Sequence, residues 1–187
     1  MRSVEVLSED RVRSGFLSVD RAELRYELPD GTLGPPVFRE KVERGDSAAV
    51  LIAEPTTGRL LFVNQFRYPA LRHGGGYLTE IVAGAIDAAE TPEQAARREA
   101  KEELGVELGE LVHIASVIPS PGTCSEMTHV YFAELAPDSG PPVPQQGGGE
   151  DLELVELSDS EAFRHVDAGE FGDAKTVLAL LWLRSRA

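Results

Sequence analysis

The sequence predicts an α+β protein: a small antiparallel β extension at the N-terminus, followed by a larger domain that mixes strands and helices. Three observations predict it. Short apolar runs bounded by Gly, Pro, Asn and Asp recur along most of the chain, the pattern of strands joined by turns. A stretch in the middle, "TPEQAARREAKEELG", carries both start and stop signals for a helix. Two further helical patterns, "SDSEAFRHVDAG" and "DAKTVLALLWLRSR", close the chain.

In order, residues 1–44 hold "VEVLS", "FLSVDRAELRYEL" and, after the turn-rich "PDGTLGPP", "VFREKVER". These strands are too few and too short to bury a stable core of their own. They are therefore expected to pair with a second copy of the chain, as a dimerisation segment ahead of a domain spanning 45–187. "AAVLIAEP" and "RLLFVNQFRYP" flank "TTG" and read as a hairpin. "YLTEIVAG" reads as one strand, and "LVHIASVIP", "MTHVYFAEL" and "DLELVELS" as three more. "APDSGPPVPQQGGGE" is rich in Pro and Gly and is expected to be a mobile loop. "SDSEAFRHVDAG" begins with capping residues and stops on Gly169. In the last helix, Val177, Leu178, Leu181 and Trp182 are spaced as a buried stripe.

Composition narrows the function. A chain of 187 residues suits one domain with an appendage and can bury a core without disulfides. The only cysteine, Cys124, has no internal partner. No run approaches the length of a membrane span. "MRSVEVLSEDRV" is charged and lacks an apolar signal core, so a cytoplasmic setting is expected. The net charge of −14 repels nucleic acid, and it also repels phosphorylated small molecules unless cations reverse the field locally.

The central helix is where that reversal is expected. Thr91 is its N-cap, Pro92 fits the first helical position, Gln94 completes a capping box, and Gly105 ends the helix after Leu104. Ala96, Ala100 and Leu104 recur every four residues and can pack on a sheet. Glu99, Glu102 and Glu103 then project to nearly one side. Aligned like charges cost roughly 0.2–0.5 kcal/mol per pair, and carboxylates at a helix C-terminus oppose its macrodipole. A solvated acidic face would bear those costs. A divalent hard cation removes them, because carboxylate oxygens are the ligands Mg²⁺ prefers.

"GAIDAAETPEQAARREAKEELGV" resembles the Nudix box, G-x5-E-x7-R-E-U-x-E-E-x-G-U with U aliphatic, at every specified position. The matches are Gly84, Glu90, Arg98, Glu99, Ala100, Glu102, Glu103, Gly105 and Val106. Seven of these are fixed residue types, so a chance match at a given start is on the order of 10⁻⁸. The resemblance to Nudix hydrolases implies an α/β/α sandwich with a mixed sheet, and hydrolysis of a nucleoside diphosphate linked to another group. The flanks resemble the nucleoside-diphosphate-sugar branch: "IVAG" before the box, "PSPGTCSE" after it, then "GGGEDLELVEL", "GDAKTVLALLWL" and the N-terminal strands. That branch implies Mg²⁺ (with Mn²⁺ able to substitute), a homodimer with composite sites, and ADP-ribose cleaved to AMP and ribose 5-phosphate. GDP-mannose is the alternative substrate.

The resemblance also implies residue roles. Glu99, Glu102, Glu103 and the backbone carbonyl of Ala83 match metal ligands, Arg98 would orient the glutamates, and Glu90 would hold the loop. Glu150 matches a catalytic or metal-binding glutamate, with Glu126 as the other candidate for the base that deprotonates water. Arg67 matches a diphosphate-binding arginine, Arg39 a nucleotide contact and Lys175 a substrate-contacting lysine. Phe38 would stack on the base, as would Phe16 from a partner subunit. A nucleoside-triphosphate hydrolase would lack the N-terminal strands, and a non-catalytic nucleotide-sugar sensor would typically lose a box glutamate. "HGGG" at 73–76 resembles a lipase oxyanion loop, but no G-x-S-x-G accompanies it.

Overall fold

A computed structural model of the chain describes residues 2–145 and 151–186. It divides into two compact units: residues 1–45 with 118–126, and residues 46–117 with 127–187. The first unit holds a three-stranded antiparallel sheet in the order β1 (Val4–Arg13), β2 (Ser18–Tyr26), β3 (Val37–Glu43). Residues 118–126 join it through the Val42 and Ser125 backbone N–H groups, which donate to Thr123 and Val42 carbonyls. β1 is exposed along its whole length, with Val4, Val6 and Val12 open to solvent.

The second unit is built on seven strands: β4 (Ser47–Glu54), β5 (Arg59–Phe66), β6 (Tyr77–Glu80), β7 (Val82–Ala85), β8 (Leu108–Val117), β9 (Thr128–Leu135) and β10 (Glu153–Ser158). The main order is β10-β5-β4-β9-β8, with β6 on β5 and β7 on β4. Only β4–β9 is parallel among the pairings described, which makes the sheet mixed. Alternation along β4 sends Ala48, Val50 and Ile52 to one face and Ala49 and Leu51 to the other. Helix α1 (Pro92–Leu104) covers the first face with Ala95, Ala96, Ala100 and Leu104. α2 (Asp159–Ala168) and α3 (Ala174–Arg184) cover the second with Ala162, Ala179 and Leu180. The result is the expected α/β/α sandwich. No helix among the described residues is long and apolar enough to cross a membrane.

Four local expectations are corrected. "YLTEIVAG" is two strands, not one: β6 follows β5, the chain breaks at Ile81, and β7 follows β4. The stripe of α3 is rotated, so that Thr176, Ala179 and Leu180 are buried while Leu181 is exposed. Residues 177–183 are apolar all round, so spacing alone could not orient the helix. The bond from the Ile81 N–H to the Thr176 hydroxyl (2.9 Å) does orient it. Of the run 136–150, expected to be a mobile loop, residues 146–150 lie outside the described residues, and 136–145 are tied to α1: Val143 and Gln145 N–H groups donate to the Leu104 and Glu103 carbonyls (2.9 and 2.8 Å). These are orphan carbonyls at a helix C-terminus, and the loop satisfies them. Tyr68 and Pro69, expected to close the strand run "RLLFVNQFRYP", instead begin a short 3₁₀ helix, Tyr68–His73.

The helix signals hold in detail. Thr91 and Gln94 form a reciprocal capping box, and Gly105 ends α1 in the left-handed conformation at φ 69°. Ser158 and Glu161 do the same for α2. The Glu161 carboxylate accepts from the Ser158 N–H (2.8 Å) and hydroxyl (2.7 Å) and from Arg59 (2.7 Å). The Ser158 backbone bond, chiefly, lowers its pKa from 4.5 to about 2. A depressed carboxylate contributes stability above its unfolded pKa and loses it as pH falls through the folded one. Glu161→Gln should therefore lower Tm at pH 7, and its gap from wild type should close between pH 4.5 and about 2. Calorimetry across that range checks this; a constant gap would mean that the ionised form is not what stabilises.

Candidate active site

The box residues meet where α1 crosses the N-terminal end of β4 and its partner β7. β7 pairs with β4 so that Ala48 faces Gly84 and Ala49 faces Ala83. Opposite Gly84 lies the Glu99 carboxylate, so close that a Cβ at Gly84 would overlap it. Glycine is required there for packing, since the Glu99 side chain occupies the volume any other residue would fill.

Arg98 organises the acids around it. Its guanidinium donates to both oxygens of Glu90 (2.8 and 2.9 Å), to Glu99 (2.6 Å), to Glu102 (2.9 Å) and to the Ala85 carbonyl (2.8 Å). These bonds raise the Arg98 pKa, with Glu90 the largest contributor, and lower that of Glu90. Burial raises the Glu99 pKa, partly offset by the bond from Arg98. Glu90 also accepts from the Asp87 N–H (3.2 Å), which closes the loop ahead of α1.

The three glutamates are not equivalent. Glu103 is buried, Glu99 is partly buried, and the Glu102 side chain is 58% exposed. Their carboxylates do not converge: among the described residues no group of three His, Cys, Asp or Glu side chains is arranged to hold a metal. The Arg98 guanidinium draws Glu99 and Glu102 to itself and supplies the positive charge they share. The donor chemistry nevertheless fits a hard divalent cation. It consists of carboxylates and a backbone carbonyl, all oxygen, on a helix that is fixed at its end. Arg97 anchors that helix by donating to the Leu108 and Gly109 carbonyls (2.6 and 2.8 Å).

A second charged group lies in the same unit. Glu80 ends β6, is 3% exposed, and accepts from Arg67 at two atoms (3.2 and 3.0 Å) and from Lys175 (3.0 Å). Lys175 also pairs with Asp173 (2.9 Å). The two cations expected at a diphosphate thus share one buried carboxylate. Glu80 and Thr176 are absent from the residues singled out in the sequence. A lone acid inside the apolar run "YLTEIVAG" was a signal for Glu80, whereas nothing local marks Thr176.

The remaining expected residues lie elsewhere. Glu126, Arg39, Phe38 and Phe16 belong to the first unit. Glu126 pairs there with Arg44 at 3.5 Å, Arg39 donates to the Phe38 carbonyl (2.8 Å), and Arg21 covers the Phe38 ring at 4.4 Å. Phe16 is fully exposed. Glu150 lies outside the described residues. A surface cavity of about 940 Å³ between the β4–β5 turn and residues 136–142 contains none of the residues named for the site.

The NUDIX domain model matches residues 43–178. The ADP-ribose pyrophosphatase of Escherichia coli (strain K12) is 31% identical over 183 residues, covering 97% of this chain and 88% of its own. The GDP-mannose pyrophosphatase of Salmonella choleraesuis is 38% identical over 152 residues, covering 79% of this chain and 78% of its own. Among solved structures, an ADP compounds hydrolase superposes with a TM-score of 0.75 at 23% identity, covering 97% of this chain and 92% of that one. That structural likeness bears on the fold alone.

Proposed function

The chain belongs to the Nudix family of hydrolases, and on that premise we propose that it cleaves the pyrophosphate of a nucleoside diphosphate sugar, ADP-ribose first, to AMP and ribose 5-phosphate. The observation that carries the reading is the carboxylate face of α1, held by Arg98 and packed against Gly84. Together with the near full-length similarity to ADP-ribose pyrophosphatases, it supports metal-assisted diphosphate chemistry. GDP-mannose is the second substrate, favoured by the higher identity to GDP-mannose pyrophosphatases over a shorter span.

Glu99, Glu102, Glu103 and the Ala83 carbonyl hold Mg²⁺ or Mn²⁺ in this reading. The chemistry that the bound ion supplies is acidification of a water molecule and neutralisation of charge on the departing phosphate. Arg98 sets the spacing of Glu99 and Glu102 by donating to both. Arg67 and Lys175, gathered by Glu80, donate hydrogen bonds to the diphosphate, while Glu80 and Asp173 balance their charge. Arg39 and Phe38 contact the nucleotide, with Phe16 from a partner subunit. Glu150 accepts the proton of the attacking water, and Glu126 is the other candidate for that step. Phosphate release after phosphatase coupling, from ADP-ribose, GDP-mannose, UDP-glucose, NADH and nucleoside triphosphates, tests the substrate class. Turnover of triphosphates alone would reject it.

The N-terminal segment 1–44 is proposed to form a homodimer. Support comes from the exposed apolar residues of β1, which is an edge strand. Light scattering at micromolar concentration should give twice the chain mass of 20.2 kDa. A monomer would reject both the dimer and any role for Phe16 across it.

A further inference from the structure

The break between β6 and β7 leaves the buried Ile81 outside both strand ladders, since Glu80 pairs with Val63 on β5 and Val82 with Val50 on β4. Its N–H needs a partner, because a buried unpaired donor is costly. That partner is the hydroxyl of Thr176, in the first turn of α3, at 2.9 Å. Thr176 is fully buried, and its single hydroxyl hydrogen goes to Asp173 Oδ2 (2.6 Å). Asp173 Oδ2 also accepts the Thr176 N–H (2.9 Å) as the N-cap of α3. The hydroxyl therefore accepts from the sheet and donates to the cap, with no freedom to turn. One residue earlier on each side, Lys175 grips Glu80. Residues 173–176 thus hold residues 80–81 by two adjacent bonds.

Two and three residues beyond Ile81 lie Ala83 and Gly84, the latter in contact with Glu99. We infer that Thr176 is a positioning residue of the metal site: it fixes the direction in which β7 leaves the break, and so the placing of the Ala83 carbonyl against the carboxylates of α1. The inference rests on the reading of Ala83 and the box glutamates as ligands of a divalent cation. Thr176 itself touches neither ligand nor substrate. It acts as outer-shell partners of metal sites do, by orienting what does, and loss of such partners typically weakens metal affinity 10- to 100-fold.

Thr176→Val keeps the shape and removes the acceptor, while Thr176→Ser keeps the hydroxyl. Mn²⁺ affinity, read by electron paramagnetic resonance of the free ion without substrate, should fall about tenfold in Thr176→Val and stay within about twofold in Thr176→Ser. Hydrolysis by Thr176→Val should be recovered by raising Mn²⁺. A lower Tm with wild-type Mn²⁺ affinity would show a purely structural threonine and overturn the inference alone. Absence of Mn²⁺ binding by the wild-type protein would overturn the metal reading and this inference with it. If Thr176→Val does not fold, Asp173→Ala decides: it frees the hydroxyl to rotate and should weaken Mn²⁺ binding measurably, and unchanged affinity overturns the role.

Discussion

Hydrolysis of ADP-ribose is expected to fall to background in excess EDTA and to return when Mg²⁺ or Mn²⁺ is added above the chelator. The acids of α1 make this the largest effect to look for. Burial pushes the Glu99 pKa up, so ionising it is costly, and Arg98 only partly offsets that. Glu103 is buried in the last turn of α1, where the helix dipole disfavours a negative charge. A protein with a net charge of −14 that binds an anionic diphosphate needs concentrated positive charge at the site. Arg67 and Lys175 do not suffice, because Glu80 and Asp173 already neutralise them. Divalent cations on the carboxylates would close that gap, as the proposed function requires. Full turnover in the chelator would remove the metal from the account.

Glu103→Gln is expected to lose about a hundredfold in kcat, on the order of 3 kcal/mol of transition-state stabilisation. Glutamine matches glutamate in volume, so no cavity opens around Ala100 and Leu104, and Tm should remain close to wild type. What changes is the charge of a carboxylate proposed to hold the metal, and the loss should appear in kcat as well as in kcat/KM. Steady-state kinetics at saturating Mg²⁺, with a melting curve as control, separate this from unfolding. A near-normal kcat would move the chemistry away from the box.

Much of this was legible because its signals are local. The ends of α1 follow from Thr91, Pro92, Gln94 and Gly105, which act within one turn of the chain. The box spacing puts Arg98 in reach of Glu99 and Glu102 on one helix surface. The strand runs and the β4–β5 hairpin follow from alternation and a short turn. What stayed hidden depends on partners distant in sequence. The break at Ile81 exists because two neighbouring strands claim the two halves of "YLTEIVAG", and Thr176, 95 residues away, takes the orphaned N–H. The face of α3 could not be read from a helix apolar on every side. The pairing of Glu80 with both Arg67 and Lys175 joins a strand end, the residue that follows β5 and a helix N-terminus. No periodicity in the sequence encodes such a meeting.

The central claim is that the carboxylate face of α1 serves diphosphate cleavage. The most direct measurement is ³¹P NMR of ADP-ribose incubated with the protein and Mg²⁺. The account predicts that the two diphosphate resonances disappear together while AMP and ribose 5-phosphate appear in equal amounts, at a rate cut about a hundredfold by Glu103→Gln. An unchanged diphosphate signal under conditions where the protein consumes nucleoside triphosphates, or cleavage that Glu103→Gln leaves untouched, would contradict it.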